Sequence, residues 1–132
     1  MKQLVMAATL LLYLVPIVSC NKKEEGPAFA TEGIWTGKLG SGNDVPDQPF
    51  QIRVKPRGLL ERVNGGGEVR GIGSWKVTGN EFTAHYDFIE SNGRISLKGN
   101  LNKENLQLAG TWGSGDAFTG GGSWFASKFI EQ

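Results

Sequence analysis

The sequence predicts an all-β fold, an eight-stranded antiparallel up-and-down β-barrel preceded by a leader and a short flexible tether. Three observations predict it. From about residue 33 onward apolar residues alternate with period two, and glycines recur too often for any helix to be defended. Nearly every connection is a turn-type sequence, such as Gly79-Asn80, Asn92-Gly93 and Asn64-Gly65-Gly66-Gly67, so neighbouring strands are antiparallel. Finally, one apolar face stays consistent from strand to strand, and with no helix to cover it that face is buried only if the sheet closes on itself.

The first element is not part of the domain. Residues 1–19 carry Lys2 and then a largely apolar run from Leu4 to Val18, the layout of a secretory signal. The run is shorter than the ~20 apolar residues that a spanning helix needs. It ends in Ile17-Val18-Ser19-Cys20, which resembles the lipobox of bacterial lipoproteins. That resemblance implies that Cys20 is the lipidated first residue of the mature chain, anchored to the outer membrane of the cell envelope. Cys20 is also the chain's one cysteine, with no disulfide partner in an oxidising compartment. Residues 20–32 are polar and without apolar periodicity, a tether able to hold a domain up to ~40 Å from the bilayer at about 3.3–3.6 Å per residue. The Lys22-Lys23-Glu24-Glu25 run is either a solvated charge cluster or a signal resembling that of surface-exported lipoproteins, so the membrane face is open. Loss of residues 1–19 leaves 13 basic and 13 acidic residues. A chain so balanced has no electrostatic footprint for nucleic acid.

The domain occupies residues 33–132. Its strands are expected at 33–39, 49–55, 58–63, 69–77, 81–89, 94–101, 106–112 and 118–129. Three turns test the register. With Gly79-Asn80 as a two-residue loop, Val77 opposes Phe82, Trp75 opposes Ala84 and Gly73 opposes Tyr86. With Asn92-Gly93 as the next loop, Phe88 opposes Leu97, Tyr86 opposes Gly99 and Asp87 opposes Lys98. A four-residue loop at 102–105 sets Leu101 against Leu106 and Ile95 against Trp112. All three turns choose the same inner face.

Carried through the domain, that parity places Trp35, Trp75, Trp112 and Trp124 inward, each two residues after an inward glycine (Gly33, Gly73, Gly110, Gly122). Gly and Trp two apart share one strand face, so an indole can lie over a neighbouring glycine where a Cβ would clash. The rest of the inward set is Leu39, Phe50, Ile52, Val54, Leu59, Glu61, Val63, Phe82, Tyr86, Phe88, Ile95, Leu97, Leu101, Leu108 and Phe118. Outward apolar residues are Ile34, Leu60, Ile72 and Phe125. On β-strand 58–63 either parity aims a charge inside: Glu61 with Leu59 and Val63, or Arg62 with Leu60.

The stretch Gly33-Ile34-Trp35-Thr36-Gly37-Lys38-Leu39-Gly40-Ser41 resembles the first strand of the calycin barrels, in the Gly-x-Trp opening of lipocalins and in the first strand of the avidins. The resemblance covers nine residues plus strand number and order. It implies a barrel and, more faintly, ligand binding; the later lipocalin motifs and the avidin ligand contacts match no positions here.

Eight strands enclose room for packed side chains or for one small ligand. The expectations are therefore two. A small apolar molecule inside the barrel would meet the walls Trp35, Trp75, Trp112 and Trp124 and the polar anchors Glu61 and Tyr86. Alternatively, a solid core makes the protein an interaction module whose partner the sequence does not identify. Catalysis is not expected: His85 is the chain's one histidine, set among Glu81, Thr83 and Asp87 on the outer face, and no triad can be assembled around it. No metal is expected either, since Asp44 and Asp47 lack ligand spacing, and no cofactor is implied, because no glycine run opens a helix that would cradle a phosphate.

Overall fold

A computed structural model of the chain describes residues 31–128. The leader, Cys20 and most of the tether lie outside the described residues. The strands are β1 (Gly33–Leu39), β2 (Gln48–Lys55), β3 (Leu59–Val63), β4 (Val69–Thr78), β5 (Glu81–Phe88), β6 (Arg94–Asn102), β7 (Gln107–Ser114) and β8 (Gly122–Lys128). They form a closed barrel in sequence order, each antiparallel to the next, and β1 pairs with β8 from Trp35↔Lys128 to Leu39↔Trp124. Closure removes both sheet edges.

The expected register holds at Gly79-Asn80 and slides at the other two turns. Gly79 has φ 63°, which a glycine adopts without strain, and Val77, Trp75 and Gly73 oppose Phe82, Ala84 and Tyr86. Between β5 and β6 the loop is longer than the two residues expected. The Ile89 N–H is taken by Arg70 O on β4, and Phe88 N–H closes on Gly93 O at 2.9 Å. Tyr86 therefore opposes Ile95, and Asp87 opposes Arg94 rather than Lys98. Between β6 and β7 the four-residue loop is 103–106, with Asn102 Oδ1 accepting two backbone N–H groups, so Leu101 opposes Leu108. Both slides displace the pairing by an even number of residues, which leaves the buried face unchanged.

The four indoles point inward. Trp35 and Trp124 are fully buried, Trp75 nearly so, and Trp112 is packed against the core at one end. The core is an aromatic stack: Phe50 and Phe82 lie 5.6 and 6.0 Å from Trp124 between ring centroids, and Trp75 stacks on Phe82 at 6.4 Å. Every indole N–H donates to a backbone carbonyl: Trp35 to Thr31 O, Trp75 to Lys55 O, Trp112 to Gly40 O and Trp124 to Thr111 O.

Glycines make room in two ways. A Cβ on Gly99 would stand 2.8 Å from Trp124 Cζ2, and one on Gly121 would stand 2.5 Å from the Trp112 ring. The glycines inside the Gly-x-Trp motifs mostly answer to backbone: at Gly73 and Gly110 a Cβ would run into the carbonyl oxygens of His85 and Lys98 on the neighbouring strands. These are the close approaches of a tightly coiled small barrel.

Three inward assignments are corrected. β3 takes the other parity: Leu60 is buried and opposes Val54 and Gly73, whereas Leu59 is 47% exposed and Glu61 lies on the outer face opposite Arg53 and Ile72. Arg62, opposite Ile52 and Gly71, takes the inward place; a register shift between Arg62 and Val63 then buries Val63 as well. Phe118 precedes β8, which starts at Gly122, and packs outside against the His85 ring at 5.2 Å.

Trp124→Ala should cost roughly 3–5 kcal/mol in chemical denaturation, the range for deleting a buried indole. Trp112→Ala should cost less because its ring is only half buried. Gly110→Ala should destabilise by about 3 kcal/mol, at the upper end of the overpacking range, since backbone rather than a movable side chain occupies the space.

Candidate functional site

The two ends of the barrel differ. At one end lie the entry to β1, the 3-10 turn Pro56–Gly58, the Gly79-Asn80 turn and loop 103–106. Thr31 is fully buried there beneath the Trp35 N–H. At the other end lie four longer connections, 40–47, 64–68, 89–93 and 115–121.

The inward charge of β3 lies at this loop-bearing end. Arg62 extends to the mouth, as a long cationic side chain does when its stem is buried. Its guanidinium carbon sits over the Phe50 ring at 4.7 Å and 5.8 Å from the Tyr86 ring. Its Nη1–H donates to Tyr86 Oη at 2.7 Å, and Nη2–H reaches Pro49 O at 3.4 Å. Tyr86 is itself 1% exposed, with the Phe88 ring edge-on at 5.4 Å. Burial pushes the Tyr86 phenol up, the charge and hydrogen bond of Arg62 opposing it, so the hydroxyl keeps its proton at neutral pH.

Two clefts flank Arg62. One, of about 470 Å³, is lined by Arg62, Val63, Arg70, Phe88, Glu90 and Ser91 among others. The second, of about 270 Å³, has Phe50, Gln51 and Asn64 in its wall and Arg62 as its charged residue. A third cleft at the same end, of about 500 Å³, runs between loops 40–47 and 115–121 and is lined by small and polar residues such as Asn43, Thr111 and Ser123.

Of the residues expected at a site, Tyr86 is buried behind Arg62 and bonded to it at 2.7 Å without lining a cleft itself, and Trp112 closes the same end through Gly40 O and Gly121. Trp35, Trp75 and Trp124 belong to the packed interior, with their N–H groups already bonded. Glu61 is not a ligand anchor inside the barrel. It binds Arg53 and Lys55 on the outer face of β2. Burial pushes its carboxyl up, but the hydrogen bonds and charges of Arg53 and Lys55 outweigh this and hold it below the usual value. Arg62 appeared in the sequence only as the other parity of β3; the signal was the charge that either choice would aim inward.

On the outer face, His85 Nδ1 meets the fully buried Ser96 Oγ at 2.6 Å, and that hydroxyl donates to Gly115 O, also at 2.6 Å. With its proton directed to the carbonyl, Ser96 accepts from His85 Nδ1–H. The imidazole thus latches loop 115–121 to the barrel wall. Among the described residues no group of three or more His, Cys, Asp or Glu is placed to hold a metal ion.

Compared with protein-family models, curated proteins and solved structures, the chain matches none.

Glu61→Gln should lower stability at neutral pH by a few tenths to about 1 kcal/mol, the range for partly exposed pairs. Because the folded carboxyl titrates below its unfolded value of about 4.3, its contribution is present above that value and fades as pH falls through the folded one. The wild-type and variant melting curves should therefore converge in acid.

Proposed function

We propose that the protein is a non-enzymatic binding protein of the bacterial cell envelope, held to the outer membrane through a lipidated Cys20, that takes a small, largely apolar ligand at the loop-bearing mouth of its barrel. The sequence Ile17-Val18-Ser19-Cys20 supports the anchor. The observation that carries the binding reading is the pair of clefts beside Arg62, lined by Phe50, Phe88 and Val63 and opening at the end opposite the entry to β1. The larger cleft falls within the usual size of small-molecule sites, roughly 300–1,000 Å³. The packed aromatic interior moves the expected ligand from the barrel centre to its mouth. The closed meander agrees with the calycin-like architecture that Gly33-Ile34-Trp35 resembles.

The second reading, a protein-interaction module, is favoured by the same filled core and by Val45 and Ile89, 79% and 55% exposed on two loops of this end. Native mass spectrometry of the full-length protein extracted from its own host separates the two. A co-purifying small molecule of constant mass, released on unfolding, is the expected result. A protein that emerges bare from repeated preparations, with one protein partner captured by cross-linking in cells, would replace the first reading by the second.

Cys20→Ala should transfer the protein from the membrane fraction to the soluble envelope fraction. Unaltered fractionation would remove the lipid anchor from the proposal.

A further inference from the structure

We propose that Arg62, held in place by Tyr86, forms an anion subsite at the barrel mouth, taking the carboxylate of a small organic acid whose apolar body lies against Phe88 and Val63. The inference rests on the ligand-binding reading above and adds the chemical class of the ligand.

The first observation is an uncompensated charge. Among the described residues no carboxylate lies within 4.0 Å of Arg62, although Arg53 and Lys55 share Glu61, Arg70 is paired with Glu68 and Glu90, Arg94 with Asp87 and Asp116, and Lys98 with Glu81. Every one of those pairs stands on the outer face or in loops, where water would already screen the charges. Arg62 is the inward-facing, half-buried cation, and a charge there gains most from a partner.

The second observation is spare donors. A guanidinium carries five N–H groups, and Arg62 directs one to Tyr86 Oη and one to Pro49 O. Its Nε–H has no partner among the described residues and is not buried, so it is open to a solvent or ligand acceptor. The Tyr86 hydroxyl accepts from Arg62 on a side chain that is 1% exposed, and so holds the guanidinium in place. The phenol, 2.7 Å from the guanidinium, fixes the arginine so that its accessible edge faces the cleft and calls for an oxygen acceptor there.

The surroundings select the class. Arg70 and Glu90 in the cleft wall are bonded to each other and offset one another, leaving the single charge of Arg62. One positive charge suits a monoanion; a phosphate dianion would bring a second negative charge with no partner. Phe88 and Val63 supply an apolar wall for the rest of the molecule, and about 470 Å³ is room for a small acid rather than for a folded partner.

The test is calorimetric titration of the full-length protein in nanodiscs of zwitterionic lipid, against empty nanodiscs. The probes are benzoate, phenylacetate and phenylbutyrate, each beside its neutral primary alcohol, with inorganic phosphate and a short peptide bearing a free C-terminal carboxylate. At least one carboxylate should bind roughly tenfold or more tightly than its alcohol. Tyr86→Phe should weaken the carboxylate and leave the alcohol unchanged, and Arg62→Gln should abolish the preference. Tyr86→Phe keeps the buried ring, so the test survives should Arg62→Gln fail to fold. Equal binding of acid and alcohol, or a preference indifferent to Tyr86→Phe, overturns the subsite while leaving the ligand-binding reading to the co-purification result. Binding of the peptide or of phosphate alone overturns the small-acid assignment, and binding of none of the probes overturns the subsite.

Discussion

Closure fixes the interior volume of this barrel, and nearly everything else follows from filling it. Eight antiparallel strands leave just enough space for side chains, and the chain uses indoles and phenyl rings where most small cores use branched aliphatics. Large rings in a narrow space need matching voids in the wall. Gly99 supplies one beneath Trp124 and Gly121 another beneath Trp112. Gly73 and Gly110 let neighbouring carbonyls approach where the strands coil most tightly. Each indole also carries one polar atom into a dry region, and an unbonded N–H there would be costly. All four are satisfied by backbone carbonyls, so the tryptophans fix their own orientation as well as filling space.

The same constraint explains β3. A pleated strand cannot turn both Glu61 and Arg62 outward, and the two alternatives differ in what the interior can offer. A short glutamate facing inward would hold its charge among aromatic rings, unable to reach the mouth. An inward arginine reaches the mouth, lies over Phe50 and bonds Tyr86, while Glu61 turns to two cations on β2. Leu60 then fills the core in place of Leu59. Among the described residues the arrangement leaves the inward-facing Arg62 without a carboxylate partner, and the geometry of the site begins there.

Strand number, order, closure and the inward placement of the tryptophans were legible in the sequence because they depend only on parity, which survives errors of two residues in a turn. Loop lengths were less legible. The β5–β6 connection is set by Arg70 O binding the Ile89 N–H, a contact from a third strand that no local pattern contains. Phe118 looked inward by alternation, but it lies in the loop before β8 and covers His85. The site itself was half legible: Tyr86 was placed on the inner face, and the inward charge of β3 was recognised without a means of choosing its sign. That choice depends on which partners stand across the strand pair, Arg53 on one face and Tyr86 with Phe50 on the other. Those are tertiary facts.

Where a small barrel can bind is decided by the lengths of its connections. At the end where β1 begins the connections are only two to four residues long and Thr31 is buried. At the other end, longer loops stand away from the axis. His85 and Ser96 hold one of them, 115–121, against the wall through Gly115 O, and Trp112 ties another, 40–47, through Gly40 O. Loops 64–68 and 89–93 flank the cleft beside Arg62, and the Arg70–Glu90 ion pair joins β4 to the second of them. The packed aromatic core thus supports a mouth at which loops 40–47, 89–93 and 115–121 are tied to the barrel, and the Arg62 guanidinium is held by the Tyr86 hydroxyl at 2.7 Å. A cleft whose wall is fixed in this way would need little ordering to bind a ligand of the kind proposed.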